Sequence, residues 1–233
     1  MVYVYFTKGM LMNNKFDLFS FEHSIIGNML KEYDYPHQIL PHLEGIIKKL
    51  GKELPSESYY TLKNEVWVSK SAKISENACI TAPCIIGHGT EIRPGAYIRG
   101  SAVIGEGCVI GNSTEIKNVI IFDSVQLPHY NYVGDSIIGY RSHLGASAIT
   151  SNVRIDKTPV NIDYGEGRIF TGYKKLGAII GDNVEVGCGA VLNPGTVIGK
   201  ESDIYPLSLV RGYVREKCIY KNNGQSVDKC GGI

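Results

Sequence analysis

His129 stands beside Pro128 in the segment LPHYNYVGDS, and Lys117 precedes it by twelve residues. An imidazole titrates near neutrality and can take a proton from an attacking group. A lysine or an arginine is the usual partner of a phosphate, and Arg93 and Arg99 lie upstream of Lys117. Tyr132, His143 and Asn152 follow within reach of the same segment. Each has a plainer reading. A lone histidine is more often structural, a lysine in a turn is more often solvated, Tyr132 suits a core slot, and Asn152 suits a turn. His88 in GHGT reads as a surface turn, and the GDS and GDN turns read as corners rather than paired carboxylates. No cysteine or histidine pair has zinc spacing.

The elements that position these residues repeat every six positions. Val68, Ile74, Ile80, Ile86, Ile92, Ile98, Ile104, Ile110, Ile116 and Phe122 fall six apart, and small residues from Ala72 to Thr114 follow four positions behind. The period resumes at Tyr132, Ile138 and Leu144, and again from Ile180 to Val210. A period of six is neither helical nor alternating. It predicts short strands joined by tight turns, three per triangular coil, with the large residue inside the prism and the small one at the corner. Successive coils stack as parallel strands about 4.8 Å apart. The fold class expected is all-β, a left-handed parallel β-helix of hexapeptide repeats with a small N-terminal helical region.

The period fails at LPHYNYVGDS, where Pro128 occupies the slot six beyond Phe122, and again from Val153 to Gly177. The second break predicts a protruding loop or hairpin, with DYGEG as turn residues between VNI and RIF. Broken local rules often mark functional sites, which places His129 in a functional context. The expected organisation is a possible extension at 1–12, a helical region at 13–60, the β-helix at 61–215 with the inserted loop 153–177, and a tail at 216–233. In the helical region Leu40, Leu43, Ile46, Ile47 and Leu50 form one apolar stripe, Pro41 suits a first turn and Gly51 a stop.

A net charge of +1 makes no electrostatic case for nucleic acid or an anionic membrane. No apolar run approaches the ~18 residues that span a bilayer. The six cysteines, Cys79, Cys84, Cys108, Cys188, Cys218 and Cys230, contain no C-x-x-C and read mostly as buried reduced thiols, which fits a cytoplasmic protein.

The segments EIKNVIIFDSVQLPHYNYVGDSIIGYRSHLGASAITSN and LGAIIGDNVEVGCGAVLNPGTVIG resemble the acetyltransferase half of the bifunctional enzymes that make UDP-N-acetylglucosamine, and related sugar-phosphate nucleotidyltransferases. The likeness covers about residues 66–215. Its specific part is H-x-x-Y-x-G-D with a lysine twelve residues before the histidine. The resemblance implies a homotrimer with sites between neighbouring prisms, taking glucosamine 1-phosphate and acetyl-CoA. It implies that His129 is the general base, that Lys117 and Arg99 bind phosphate, with Arg93 matching by local wording, and that Tyr132 and Asn152 contact the sugar. It places Ala146 and Cys188 near acetyl-CoA. His143 stands where the family usually has Asn, GASA replaces GAGT, Val153 replaces a Tyr and Cys188 a Ser. The family's nucleotidyltransferase domain has no counterpart in these residues.

The expectation is therefore an acetyl-CoA-dependent N-acetyltransferase acting on an amino-sugar phosphate, as a trimer, without nucleic acid, membrane or metal. Two alternatives stay open. One is a non-catalytic trimerising or regulatory β-helix that partners a nucleotidyltransferase. The other is an acetyltransferase for another amino sugar.

Overall fold

The computed structural model describes residues 18–164 and 167–229. Residues 1–12, the first part of the expected helical region, the DYGEG turn centre and Cys230 lie outside them.

The hexapeptide period produces a parallel β-solenoid of eight coils. On the first face, strands begin with Val66–Ser69 and stack through Cys84–Ile86 and Ala102–Ile104 toward Tyr213–Val214. The second face starts at Lys73–Ile74 and the third at Cys79–Ile80. Large β-branched residues fill the prism: Ile86, Ile92, Ile98, Ile104, Ile110 and Ile116 are fully buried in one continuous core. Small residues take the corners, where Cys84, Thr90, Ala96, Ala102, Cys108 and Thr114 are buried. Both ends of the stack are closed by antiparallel strands, Tyr59–Lys63 against Val66–Ser69 and Ser226–Asp228 against Cys218–Tyr220. Such reversals blunt the open edges that parallel stacking leaves.

The coils are not of equal length. Val66 registers with Cys84, and Cys84 with Ala102, eighteen residues apart; Ala102 then registers with Val119, and Val119 with Ser136, only seventeen apart. One residue is lost at the corner between the third and first faces, so Glu115–Ile121 and Tyr132–Ile138 run through it as single strands. This corrects the expected phase. The slip comes after Ile116, not at Pro128. Ile121 and Val133 take the inward slots, while Phe122 and Tyr132 lie outside the prism.

Phe122 belongs to a second core that covers the first face. Outward-facing Ile85, Val103, Ile120, Ile137, Ile179 and Val197 pack against Leu18, Phe19, Ile26, Leu30, Ile39, Leu43 and Ile47. Phe19 stacks on Phe122 with ring centroids 5.0 Å apart. The covering segment contains 3-10 turns at Phe21–His23 and Pro36–His42 and helices α1 (Gly27–Leu30) and α2 (Leu43–Glu53). Pro41 lies inside the second 3-10 turn, not at the start of α2. Gly51 does not stop α2, which continues to Glu53. A Cβ there would come within 2.2 Å of the Trp67 ring, so the glycine is a packing contact between helix and solenoid.

The insertion forms an antiparallel hairpin, Asn161–Tyr164 with Gly167–Phe170. Its approach, residues 154–159, is exposed, while its base packs against the cover. Val160, Ile162 and Leu176 are buried in the second core, extending the cover. Asp182, in the GDN turn, binds the two layers: its carboxylate accepts from the N–H groups of Ser20 (2.6 Å) and Tyr140 (2.8 Å). Of the described cysteines, Cys84, Cys108 and Cys218 are buried as expected, whereas Cys79 and Cys188 are exposed.

Candidate functional site

The third face carries most of the residues singled out by the sequence, at its two edges. At the edge toward the first face, Lys117 registers with Gly134 on the next coil. Asp135 follows in the corner with φ 49°. Its buried carboxylate accepts hydrogen bonds from Asn118 Nδ2 (2.9 Å) and Asn152 Nδ2 (2.5 Å), and Lys117 Nζ lies 3.5 Å from Oδ2. Asn152 Nδ2 also donates to the Tyr132 hydroxyl at 3.2 Å. That oxygen accepts, so the phenolic proton is left for another acceptor. Burial is the main reason the Tyr132 phenol is held above its ordinary range, so it remains neutral. Gly134 makes the arrangement possible. A Cβ there would meet the Tyr132 hydroxyl at 2.6 Å and Asn152 Nδ2 at 2.9 Å.

Arg99 belongs to the same edge, one coil below Lys117: Glu115–Ile116 registers with Tyr97–Ile98, which places Arg99 beneath Lys117. Its Nη1 is paired with Glu115 Oε1 at 2.6 Å. Arg93 lies at the far end of the second face, paired with Glu91 at 3.3 Å. The spacing match, Arg99, is thus the one beside Lys117; the match by wording, Arg93, is not. Two cations and two carboxylates leave this edge without net charge, but the pairs differ. Arg99–Glu115 is solvent-exposed and contributes little. Lys117 faces a carboxylate that is only 7% exposed.

His129 occupies the other edge, where the second face turns into the third. Its strand, Gln126–His129, aligns His129 with Asn112. Buried Asn131 fixes this turn: Oδ1 accepts from the His129 N–H at 3.2 Å, and Nδ2 donates to the carbonyls of Gly145 (2.8 Å) and Ala148 (3.0 Å). The exposed imidazole itself has no hydrogen-bond partner among the described residues. Ala146 and Cys188 stack beyond it at the same corner, as shown by Ser147 N–H to His129 O (3.1 Å) and Gly189 N–H to Ala146 O (2.8 Å). The N–H groups of Ala146 and Cys188 are unpaired among the described residues.

One chain therefore does not bring all the candidates together. Lys117, Arg99, Tyr132 and Asn152 gather at one edge, and His129, Ala146 and Cys188 align at the other. Four residues of strand separate the edges, roughly 13 Å. His143 joins neither group: it faces out from the second face with Nδ1 2.8 Å from Glu185 Oε2. The residue missed by sequence reasoning is Asp135. GDS is a coil corner, as expected, yet its aspartate is the hub of the cluster. Its signal was a carboxylate one residue past the position that stacks on Lys117 in the next coil, Gly134. A cleft lined by Glu22, Tyr59, Glu106 and Asp123 lies against the covering segment, and a shallower one beside it includes His23, His88 and Tyr140; neither contains a residue of the two edges. Burial pushes the Cys84 and Cys108 thiols up to about 12, so they are inert packing groups. Among the described residues no His/Cys/Asp/Glu cluster could hold a metal, and no helix is long and apolar enough to cross a membrane.

Comparison with known proteins agrees with this architecture. Residues 80–166 match the family model of the GMPPB C-terminal domain. The bifunctional protein GlmU of Methanococcus maripaludis (strain C5) is 37% identical over 185 residues, covering 71% of this chain and 45% of that protein. A bifunctional sugar-1-phosphate nucleotidylyltransferase/acetyltransferase of Sulfurisphaera tokodaii is 36% identical over 154 residues, 66% of this chain and 38% of the relative. The chain spans about half the length, or less, of these curated relatives. Among solved structures, PerB from Caulobacter crescentus, in complex with CoA and GDP-perosamine, is 16% identical with a TM-score of 0.37, covering 70% of this chain and 56% of that one. An overlap of that extent has no bearing on the chemistry. The sequence similarity is to the C-terminal, β-helical region of the GlmU proteins.

Proposed function

We propose, for a chain that resembles the C-terminal region of the bifunctional GlmU proteins, that it is an acetyl-CoA-dependent N-acetyltransferase acting on an amino-sugar phosphate, with glucosamine 1-phosphate as the acceptor and a homotrimer as the working form. One observation carries the reading. Lys117, Arg99, Tyr132 and Asn152 converge on one edge of the third face, while at the other Asn131 holds the backbone of His129, whose imidazole is unpartnered among the described residues. A phosphate at the first edge exchanges with Glu115 for Arg99 at little cost, because that pair is exposed. It meets Lys117 from the open side. The sugar amine must be neutral to attack the thioester carbonyl, and His129 takes its proton as the C–N bond forms and the CoA thiolate leaves. The unpaired Ala146 N–H suits the oxyanion of the tetrahedral intermediate. Phosphate binding aims the amine, and no acyl-enzyme is needed. The separation of the two edges gives the trimer its role: a neighbouring prism supplies His129 to the Lys117 edge. The cytoplasm is the compartment this chemistry fits.

A non-catalytic partner of a nucleotidyltransferase draws support from one feature, the carboxylates already facing Arg99 and Lys117. Steady-state acetyl-CoA turnover against a panel of amino-sugar phosphates tests the choice. Turnover with glucosamine 1-phosphate is expected; turnover with none of the panel refutes the enzyme, and preference for another member reassigns the acceptor.

A further inference from the structure

We infer that Asp135 is a positioning residue, whose carboxylate fixes Lys117 and Asn152 in the orientations that receive an acceptor's phosphate and sugar. The use made of those orientations rests on the proposed acetyl transfer; the positioning itself rests on geometry.

The Asp135 side chain is 7% exposed and meets three polar side chains, one of which, Asn152, links it to the Tyr132 hydroxyl. Oδ1 accepts from Asn118 at 2.9 Å, and Oδ2 accepts from Asn152 at 2.5 Å while facing Lys117 Nζ at 3.5 Å. A carboxylate only accepts hydrogen bonds. The Asn152 amide must therefore turn its NH2 inward, where that group also reaches the Tyr132 hydroxyl. Its carbonyl oxygen is left facing the ligand side, as an acceptor for a sugar hydroxyl or amine N–H. Removing the carboxylate charge would let this amide flip and leave the ammonium without its anchor.

A corner requirement alone does not explain an aspartate. The backbone has φ 49°, a left-handed conformation that asparagine and glycine adopt at least as readily. Asn118 occupies the equivalent corner one coil below, also left-handed at φ 50°. What Asp135 adds is the negative charge next to Lys117. The same residue anchors the insertion: Gly177 N–H donates to its carbonyl at 2.8 Å, and Leu176 N–H donates to the Asn152 carbonyl at 2.9 Å. The hairpin insertion thus leaves and rejoins the solenoid at the residues that Asp135 orders.

Asp135→Asn separates charge from shape, because asparagine keeps the volume and tolerates the backbone. The first measurement needs no activity: labelling of lysines in the ligand-free protein by an amine-acetylating reagent, read by mass spectrometry. Lys117 should react several-fold faster in the variant, with the other lysines and the melting temperature unchanged. The second is kinetic. KM for glucosamine 1-phosphate should rise about tenfold with kcat nearly constant and the KM for acetyl-CoA unmoved, the pattern of lost ground-state binding. In a Lys117→Ala background the same substitution should add much less, because neighbours in one network are not additive. Unchanged Lys117 labelling overturns the inference, as does an equal kinetic loss in both backgrounds. If labelling responds but the wild type acetylates no amino-sugar phosphate, Asp135 still positions Lys117, and only the proposed reaction falls.

Discussion

At the scale of single residues, His129 and Lys117 make distinguishable contributions. His129→Ala should lower kcat by roughly 10²–10⁴, the worth of a positioned general base, while leaving folding intact because the side chain is outside the prism core. Lys117→Ala should mainly raise KM for the phosphorylated acceptor, and should matter little for an unphosphorylated amino sugar. Near-normal turnover by His129→Ala would remove it as the base. A third residue carries a pH effect. His37 is buried between Tyr35 and Tyr173, its Nδ1 has no hydrogen-bond partner among the described residues, and burial pulls its pKa from 6.5 to about 4. The unfolded chain takes up this proton first. Stability is therefore full above pH 6.5 and falls as pH drops toward 4, by up to about 3 kcal/mol. Asp123 and Asp182, raised chiefly by burial, act in the opposite sense on acidification. Denaturant melts of wild type and His37→Phe from pH 7 to 4 isolate the histidine: the variant should lose that part of the slope. The sequence showed the types of these side chains but not their burial. A histidine in PHQIL carries no mark that two aromatic rings and a sheet face will enclose it.

Elements are where the sequence was most legible and most misleading. Six-residue spacing fixes the inward residues wherever the coil keeps eighteen residues, and fails where one is lost. Ile121 and Phe122 are both large and apolar, so composition does not decide which points inward. The decision belongs to the cover, since Phe122 has Phe19 to stack on. A signal for that cover was present. Each first-face strand carries an apolar doublet, Ile85–Ile86, Val103–Ile104, Ile120–Ile121, Ile137–Ile138, Ile179–Ile180 and Val197–Ile198, where a solvated face would have alternated. Gly51 provides the test at this scale. If it were merely a solvated helix position, Ala would stabilise by about 0.5–1 kcal/mol. Contact with Trp67 instead predicts that Gly51→Ala destabilises by about 1–3 kcal/mol, the usual cost of overpacking, measurable by equilibrium unfolding.

For the whole molecule, the cover settles which surfaces remain for assembly. The first face is occupied by the chain's own helices and hairpin, which leaves the second and third faces for a neighbouring copy, and the shared site proposed above calls for the third. Tyr97, Tyr130, Leu207 and Leu209 are exposed there or at its corners. Sedimentation at micromolar concentration should give a trimer, and Leu209→Glu should shift it toward monomer with loss of acetyl transfer. A stable monomer in the wild type would remove the shared site.

The same cover alters how the solenoid can come apart. In a bare stack each coil touches only the next, so the ends fray independently and protection declines gradually from the middle outward. Here one segment lies across the face from Ile85 to Val197, and Asp182 receives hydrogen bonds from both layers. No coil in that span can open without lifting a strap shared by the others. A quasi-one-dimensional array thereby becomes a cooperative body. Amide hydrogen exchange should report one common opening free energy for the first-face amides from Ile85 to Val197, with a gradient only in the last coil beyond the strap.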